Sequence, residues 1–215
     1  MIQRIIVVSG LLCAICGCAS EEKPRNKWVE TPAVLYEGLK GHSCAVMVWA
    51  DWRTRTEYNQ VQLDLGKVLT RKIDENLKPK KEGKKQEGPP TTFTNPASVV
   101  RYQREHPEVM SMPIAEVAPR LQASRVVYVE LEEFSAHSPE SVMVLKGNTK
   151  ATLRVVEVNS AEAKVVFEEP GITAHFPPDR PEGVVESEKV NVRTIYEGTI
   201  DLLAEKLAAR FASSK

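Results

Sequence analysis

The stretch Cys44-Ala45-Val46-Met47-Val48-Trp49-Ala50 decides the fold, because it is apolar at every position. Successive side chains of a strand point to opposite faces, so this pattern predicts a central strand that is buried on both faces. Beyond Asp51-Trp52, apolar residues recur at three- and four-residue spacing, at Val61, Leu65, Val68, Leu69, Ile73 and Leu77. That spacing predicts an amphipathic helix over about Tyr58–Leu77.

The middle of the chain predicts a short strand and two further helices. The short strand is expected at Phe93. Asn95-Pro96 is typical of a helix start, with Asn95 as the N-cap and Pro96 at the first helical position. Pro107 ends that helix, and a second, shorter helix is expected over Ile114–Leu121.

Strand patterns dominate the next part of the chain. Arg125–Phe134 alternates apolar and polar side chains, which predicts a strand with one buried side. Two short strands are expected at Val142–Leu145 and at Ala151–Val155, and the second forms a hairpin with Lys164–Phe167. The proline-rich stretch Pro170–Gly183 predicts a long loop.

The last segment predicts a long amphipathic helix, because its apolar residues share one stripe: Tyr196, Ile200, Leu203, Leu207 and Phe211. These elements together predict a single α+β domain over residues 43–215. Its sheet is expected to be mixed or antiparallel, with about 4–6 strands and with helices on one face.

The first twenty residues carry an export signal. Arg4 precedes a short apolar run, which is below the length of about 20 residues that spans a bilayer and suits a cleaved secretory signal. The run closes on Ile15-Cys16-Gly17-Cys18, which resembles a bacterial lipobox. This resemblance implies an envelope lipoprotein in which residues 1–17 are removed and Cys18 carries a diacylglycerol thioether and an N-acyl chain. The alternative is an ordinary signal cut after Ala14-Ile15-Cys16, with Cys18 as a bystander.

Lipidation at Cys18 would make residues 18–42 an anchor and tether between the membrane and the domain. Ala19, rather than Asp, follows the cysteine. In enteric bacteria that pattern resembles outer-membrane sorting. The expected location is therefore the cell envelope, on the outer membrane and facing the periplasm.

Charge and cysteine content narrow the function classes. The chain has 29 Lys and Arg against 29 Asp and Glu, and removal of Arg4 with the signal leaves 28 against 29. This balance argues against nucleic acid as a partner. Cys44 would be the only free thiol of the mature chain, and its apolar surroundings predict a small buried hydrophobe.

No catalytic residue is expected. Glu130 and Glu132 share one face of a predicted strand, and paired carboxylates can act as general acid and base, as in glycoside hydrolysis. A solvated sheet face or a ladder with lysines is the favoured interpretation of this pair, because Glu on the polar side of a strand is ordinary. His42, His106 and His175, with His137, form no metal-binding spacing, so no metal or cofactor is expected.

Three candidates for partner binding stand out: Trp52, which follows a strand end; the basic stretch Lys78–Pro90; and Phe176 in the proline-rich loop. The basic stretch contributes Lys80, Lys81, Lys84 and Lys85, which would suit anionic head groups or cell-wall polymers. The alternative for this stretch is a solvated loop.

The order of elements resembles a group of envelope proteins that includes the curli secretion lipoprotein CsgG, the penicillin-binding-protein activator LpoB and the N-terminal domain of TolB. The resemblance is carried by Ala45–Ala50 with its following helix, by Leu121–Val129, and by the pair Leu153–Val158 and Lys164–Phe167. It implies an adaptor or assembly role for an envelope partner, without catalysis, and it transfers no functional residue. An envelope hydrolase that uses Glu130/Glu132 or loop histidines is the alternative.

We predict that Cys18→Ala releases the protein from the membrane fraction, because the acyl chains at Cys18 supply the membrane affinity. Fractionation and metabolic lipid labelling measure this. A wild-type protein that takes up no lipid label, or a variant that stays anchored, would contradict the lipoprotein assignment.

Overall fold

The computed structural model describes residues 36–78, 89–159, 162–187 and 190–211. The signal, Cys18 and most of the tether lie outside the described residues, as do Lys80, Lys81, Lys84 and Lys85. None of the described helices is both long and apolar enough to cross a bilayer.

The described residues form six strands and five α-helices. The strands are β1 (Ser43–Ala50), β2 (Thr92–Phe93), β3 (Arg125–Ser138), β4 (Ser141–Val158), β5 (Ala163–Phe176) and β6 (Val184–Val185). The helices are α1 (Trp52–Glu57), α2 (Val61–Leu77), α3 (Pro96–Glu105), α4 (Ile114–Val117) and α5 (Val192–Ala208). Short 3₁₀ turns cover Pro107–Met110, Ala118–Leu121 and Ala209–Phe211.

The strands form one mixed sheet in the order β2-β1-β3-β4-β5, with β6 paired to β4. β1 is parallel to β2 and to β3, whereas β3, β4 and β5 form an antiparallel meander. The predicted α+β fold with its long C-terminal helix is thereby confirmed.

Both faces of β1 are buried, as its apolar sequence requires. Val46 and Val48 face the larger core, which α2 and α5 cover. Ala45 and Met47 face a second core, covered by α3 and the helical turns up to Leu121. Two long helices therefore share one face of the sheet, and short helical segments add a cover on the other face that the sequence analysis did not assign.

This second cover corrects the expectation for β3. Tyr128, which the alternation places on the polar side with Glu130 and Glu132, is only 9 % exposed, and Val126 beside it is fully buried. They are buried because the turns that precede β3 fold back over its first half. The polar face begins only at Glu130.

β4 and β5 are longer than the sequence predicts. β4 runs unbroken for 18 residues, where two short strands were expected, and β5 continues to Phe176 through the first part of the predicted loop. Gly147 lies within β4 because α5 crosses there, and a Cβ at this position would collide with Thr199. Pro170-Gly171 is tolerated because it sits at a register shift in an edge strand.

The chain enters the domain before the predicted boundary at residue 43. Leu39 is fully buried. The Tyr36 ring lies 5.7 Å from the Phe167 ring, and the Tyr36 N–H donates to the Arg210 carbonyl at 2.8 Å. Residues 36–42 thus pack on the domain, and we call this region the entry end.

Among the described residues, β2 is the one strand on the outer edge of β1, and it pairs with two residues only. There the Val48 carbonyl accepts one hydrogen bond from the Gln62 amide at 2.8 Å and another from the Gln103 amide at 2.9 Å. Side chains from α2 and α3 therefore satisfy a buried backbone group that a further strand would otherwise pair.

The meander extends well past the end of β1. Ala50 pairs with Leu131, which pairs with Ala151, so ten residues of β4 lie beyond β1. At the usual rise this overhang is about 30 Å long. Three register shifts interrupt the pairing of β3 with β4 along this overhang, which makes the outer edge of β3 irregular. The Tyr58 hydroxyl accepts a hydrogen bond from the Ala136 N–H at 3.0 Å and so caps part of that edge.

We predict that Gly147→Ala lowers the free energy of unfolding by about 1–3 kcal/mol, because the added methyl group overpacks the crossing of α5 over β4. Gly66→Ala is the matched control. A Cβ at Gly66 would lie 3.5 Å from the Pro96 Cβ, an ordinary contact. Because Gly66 lies in the interior of α2, Gly66→Ala should raise the free energy of unfolding by about 0.5–1 kcal/mol. Urea unfolding measures both, and equal effects of the two substitutions would contradict this packing.

Candidate functional site

The predicted carboxylate pair lies on the open part of the sheet, where the short helical cover ends. Side chains from three adjacent strands meet there, and we call them the polar sheet face: Glu130 and Glu132 from β3, Lys150, Thr152 and Arg154 from β4, and Glu168 from β5. The register of the antiparallel strands brings these side chains together.

Every carboxylate of the polar sheet face has a cationic partner. Arg154 donates from Nη1 to Glu130 at 2.5 Å and from Nε to Glu168 at 2.7 Å. Lys150 Nζ lies 2.8 Å from Glu132, which also accepts from the Thr152 hydroxyl at 2.6 Å. The arrangement is a charge ladder across three strands.

The charge ladder keeps Glu132 ionised. Hydrogen bonds from Lys150 and then Thr152 lower the pKa of its carboxyl. On the same strand, burial raises the pKa of the Tyr128 hydroxyl, and the negative charge of Glu130 raises it further. A general acid needs a carboxyl whose pKa is raised toward neutrality, which is the opposite of the Glu132 environment.

The histidines make isolated polar contacts. His106 Nδ1 lies 3.2 Å from the Glu108 carboxylate, and His175 Nδ1 lies 2.8 Å from Oδ1 of the Asn148 side chain. Among the residues that the structure describes, no three His, Cys, Asp or Glu side chains are grouped to hold a metal ion.

Cys44 and His42 are neighbours in sequence, but their side chains have different environments. Cys44 is fully buried, and burial raises the pKa of its thiol to about 12. His42 instead places Nδ1 3.5 Å from the Ser124 hydroxyl. The prediction that Cys44 is a small buried side chain agrees with this environment, because a reactive thiol needs exposure and a lowered pKa.

Trp52 is held outward at the end of β1. The Asp51 carboxylate accepts from the Thr54 N–H at 2.7 Å, which caps α1 and lowers the Asp51 pKa. Trp52, at the first position of α1, is 72 % exposed. Trp49, two residues before Asp51, is half-buried and donates from Nε1 to the Met110 carbonyl at 2.8 Å. Only Trp52 of this pair offers a large apolar surface to a partner.

Phe176 does not have the exposure that its candidate role requires. It ends β5 opposite Gly147, and its ring packs against Gly198 of α5. The ring also contacts the small core cluster around Leu145 and Ile195. Phe176 is therefore half-buried, because β5 continues where the sequence predicted a loop.

Two exposed apolar side chains were missed by the sequence analysis. Met143 and Val185 are each 68 % exposed, at the far end of the overhang. Val185 belongs to β6 and pairs with Val144, next to Met143. We call Met143, Val144 and Val185 the hairpin tip. No local signal in the sequence separates them from buried strand residues, because Val142–Leu145 is apolar at every position.

A shallow groove of about 440 Å³ lies between α2 and β2. It is lined by Lys67, Thr70, Arg71, Asp74, Thr91, Phe93 and Pro96. Its two cationic side chains and one aromatic ring would suit a small anionic group, although Asp74 adds a negative charge.

No protein-family model matches this chain, and no curated protein matches it. The solved structures that are similar to it include a PelC dodecamer and the hypothetical protein CT253. The PelC dodecamer from Paraburkholderia phytofirmans is 14 % identical, with 85 % of this chain and 94 % of that chain covered and a TM-score of 0.44. The hypothetical protein CT253 from Chlamydia trachomatis is 14 % identical, with 79 % and 92 % covered and a TM-score of 0.38. We draw no functional conclusion from similarities at this level.

We predict that Glu132→Gln lowers the free energy of unfolding at pH 7 by about 0.2–1 kcal/mol, which is the range measured for exposed ion pairs. The native pKa of Glu132 is below its ordinary value of 4.5, so its stabilising effect is present above that value and is lost as the pH falls through the native pKa. The difference between the two proteins should therefore vanish in acid.

Glu162→Gln is the matched control for this prediction, because Glu162 is exposed in the turn between β4 and β5 and takes part in none of the ion pairs of the described residues. Urea unfolding between pH 7 and pH 3 measures both variants. A pH-independent loss in Glu132→Gln, or an equal loss in Glu162→Gln, would contradict the role given to the ladder.

Proposed function

We propose that this protein is a lipid-anchored, non-enzymatic adaptor of the bacterial cell envelope, held on the outer membrane and facing the periplasm. In this role it binds another envelope component, protein or polymer. The lipobox-like sequence before Cys18 supports the anchor, and Trp52 and the hairpin tip supply exposed contact surfaces.

One observation carries the proposal: the entry end and the hairpin tip lie at opposite ends of β4. At the entry end, Arg125 donates to the Gly38 carbonyl at 3.2 Å and pairs with Glu157 of β4 at 3.1 Å. Met143 lies fourteen residues earlier on the same strand, which is about 45 Å away at the usual rise. An acyl anchor upstream of the entry end would leave the hairpin tip on the side of the domain away from that attachment.

The polar sheet face favours this role over the hydrolase alternative. Glu130, Glu132 and Glu168 each accept a charge-assisted hydrogen bond from Arg154 or Lys150. The oxygens of these carboxylates are already occupied as hydrogen-bond acceptors. These cross-strand ion pairs stiffen the meander that supports the tip.

We predict that affinity capture of the tagged full-length protein from solubilised envelopes recovers one partner at a fixed ratio. The same recovery is expected for the Glu130→Gln, Glu132→Gln double variant, because these side chains are not assigned to chemistry. Cys18→Ala should recover less partner, because it is no longer held at the membrane.

The hydrolase alternative predicts a different outcome. The wild type would release soluble fragments from purified cell wall, and the Glu130→Gln, Glu132→Gln variant would not. That result, or the absence of any captured partner with the wild type, would contradict the adaptor proposal.

A further inference from the structure

The groove between α2 and β2 has a charged wall and an apolar wall. α2 supplies the charged wall, with four side chains at the three- and four-residue spacing of one helix face: Lys67, Thr70, Arg71 and Asp74. Phe93 of β2 and Pro96 at the start of α3 supply the apolar wall. The volume of about 440 Å³ is within the range of ligand pockets, about 300–1,000 Å³. A ligand in this groove therefore contacts cations on one side and carbon atoms on the other.

The two cations of the groove are available to a ligand. Lys67 takes part in no ion pair of the described residues. Arg71 lies 4.0 Å from Asp201, and these side chains are 63 % and 53 % exposed, so their interaction is weak. Asp74 is 2.6 Å from Lys78 and thus has its own cationic partner. Two cations against one anion give the groove lining a net charge of +1.

Thr70 brings to the groove a polar group that has no partner. Its Oγ1 atom is buried, and no described residue forms a hydrogen bond with it. The Thr91 hydroxyl, which also belongs to the lining, instead accepts from the Gly41 N–H at 3.0 Å and donates to the Leu39 carbonyl at 3.2 Å. A buried hydroxyl without a partner costs stability. Rotation of the Thr70 side chain to another staggered rotamer can bring this hydroxyl to a ligand in the groove.

The edge strand beside the groove disfavours a peptide as the occupant. β2 pairs with β1 at Thr92 and Phe93 only, and Pro90 and Pro96 stand close to it on either side. Very short edge strands flanked by proline resist the addition of a further strand. A ligand of this groove is therefore held by side chains rather than by backbone pairing.

We propose that this groove binds an acidic polysaccharide through the carboxylate of a sugar unit. Lys67 and Arg71 hold the carboxylate, and the Thr70 hydroxyl bonds to a sugar oxygen. Phe93 and Pro96 pack against the apolar face of the sugar ring, whose C–H groups suit the negative face of an aromatic ring. Because the groove is shallow, the bound sugar can remain part of a longer chain.

The charge of the groove favours a carboxylate over a phosphate monoester. A uronic acid carries one negative charge per sugar, which matches the net charge of the lining, whereas a phosphate monoester carries about −1.5 to −2. This inference rests on the proposed adaptor function, which includes a polymer as a partner, and it names the chemistry of that polymer.

The test is the fluorescence anisotropy of labelled trigalacturonic and trimannuronic acid, each titrated with the full-length lipidated protein in detergent micelles. The matched probe is the methyl ester of trigalacturonic acid, which removes the charges and keeps the sugar rings. We expect saturable binding of at least one acid and at least tenfold weaker binding of the ester. Binding of the acid should weaken as the salt concentration rises, because salt screens exposed charges.

Groove variants separate ligand binding from folding. Lys67→Gln and Arg71→Gln should each lower the affinity for the acid about tenfold. Arg53→Gln is the matched control, since it changes an exposed arginine of α1 outside the groove, and it should leave the affinity unchanged. Thr70→Val should lower the affinity about three- to tenfold without lowering the melting temperature, because the hydroxyl it removes has no partner in the described protein.

Several results would overturn the inference. Equal binding of the acid and its ester, or unchanged affinity in both Lys67→Gln and Arg71→Gln, would show that the groove does not recognise a carboxylate. Displacement of the probe by inorganic phosphate at lower concentrations than by free galacturonate would make the ligand a phosphate. If neither acid binds while envelope capture still recovers a partner, the adaptor function remains and this ligand is wrong. If envelope capture fails as well, the proposed function is also wrong.

Discussion

The burial of β1 on both faces and along its outer edge is the constraint on which the rest of the structure depends. Its apolar side chains need a cover above and below, which α2 with α5 and the short helical segments supply. Its backbone also needs hydrogen-bond partners, and in the part of the chain that the structure describes, β2 supplies them at two residues of the outer edge only. The amides of Gln62 and Gln103 pair with the Val48 carbonyl, so α2 and α3 complete the hydrogen bonding as well as the packing.

Because β1 is short, the longer strands beside it project beyond the main core. The overhang of β3 and β4 keeps only a small core of its own, around Leu145 and Ile195, with the start of α5 and Tyr58 as its cover. Irregular pairing along β3 limits the open edge that such a projection would otherwise offer to other strands. The domain therefore has two unlike ends: the entry end, where residues 36–42 pack on the sheet, and the end that presents Met143 and Val185.

The polar sheet face shows how three adjacent strands share charge. Arg154 bridges Glu130 on one neighbouring strand and Glu168 on the other, and Lys150 pairs with Glu132. Cross-strand pairs of opposite charge stabilise a sheet modestly when they are partly exposed. These pairs connect the same strands that carry the tip.

The sequence by itself determined the α+β class, the periods of α2 and α5, the Asn95 cap of α3, and the burial of β1 on both faces, because these depend on local patterns of apolar and capping residues. It could not determine that β4 is one strand, since Gly147 resembles a turn residue until α5 is placed against it. It also misplaced Phe176 and missed Met143. A local pattern states which side chains prefer burial, whereas only the tertiary structure decides which of them find a partner. Met143 is exposed because β4 extends beyond the elements that could cover it.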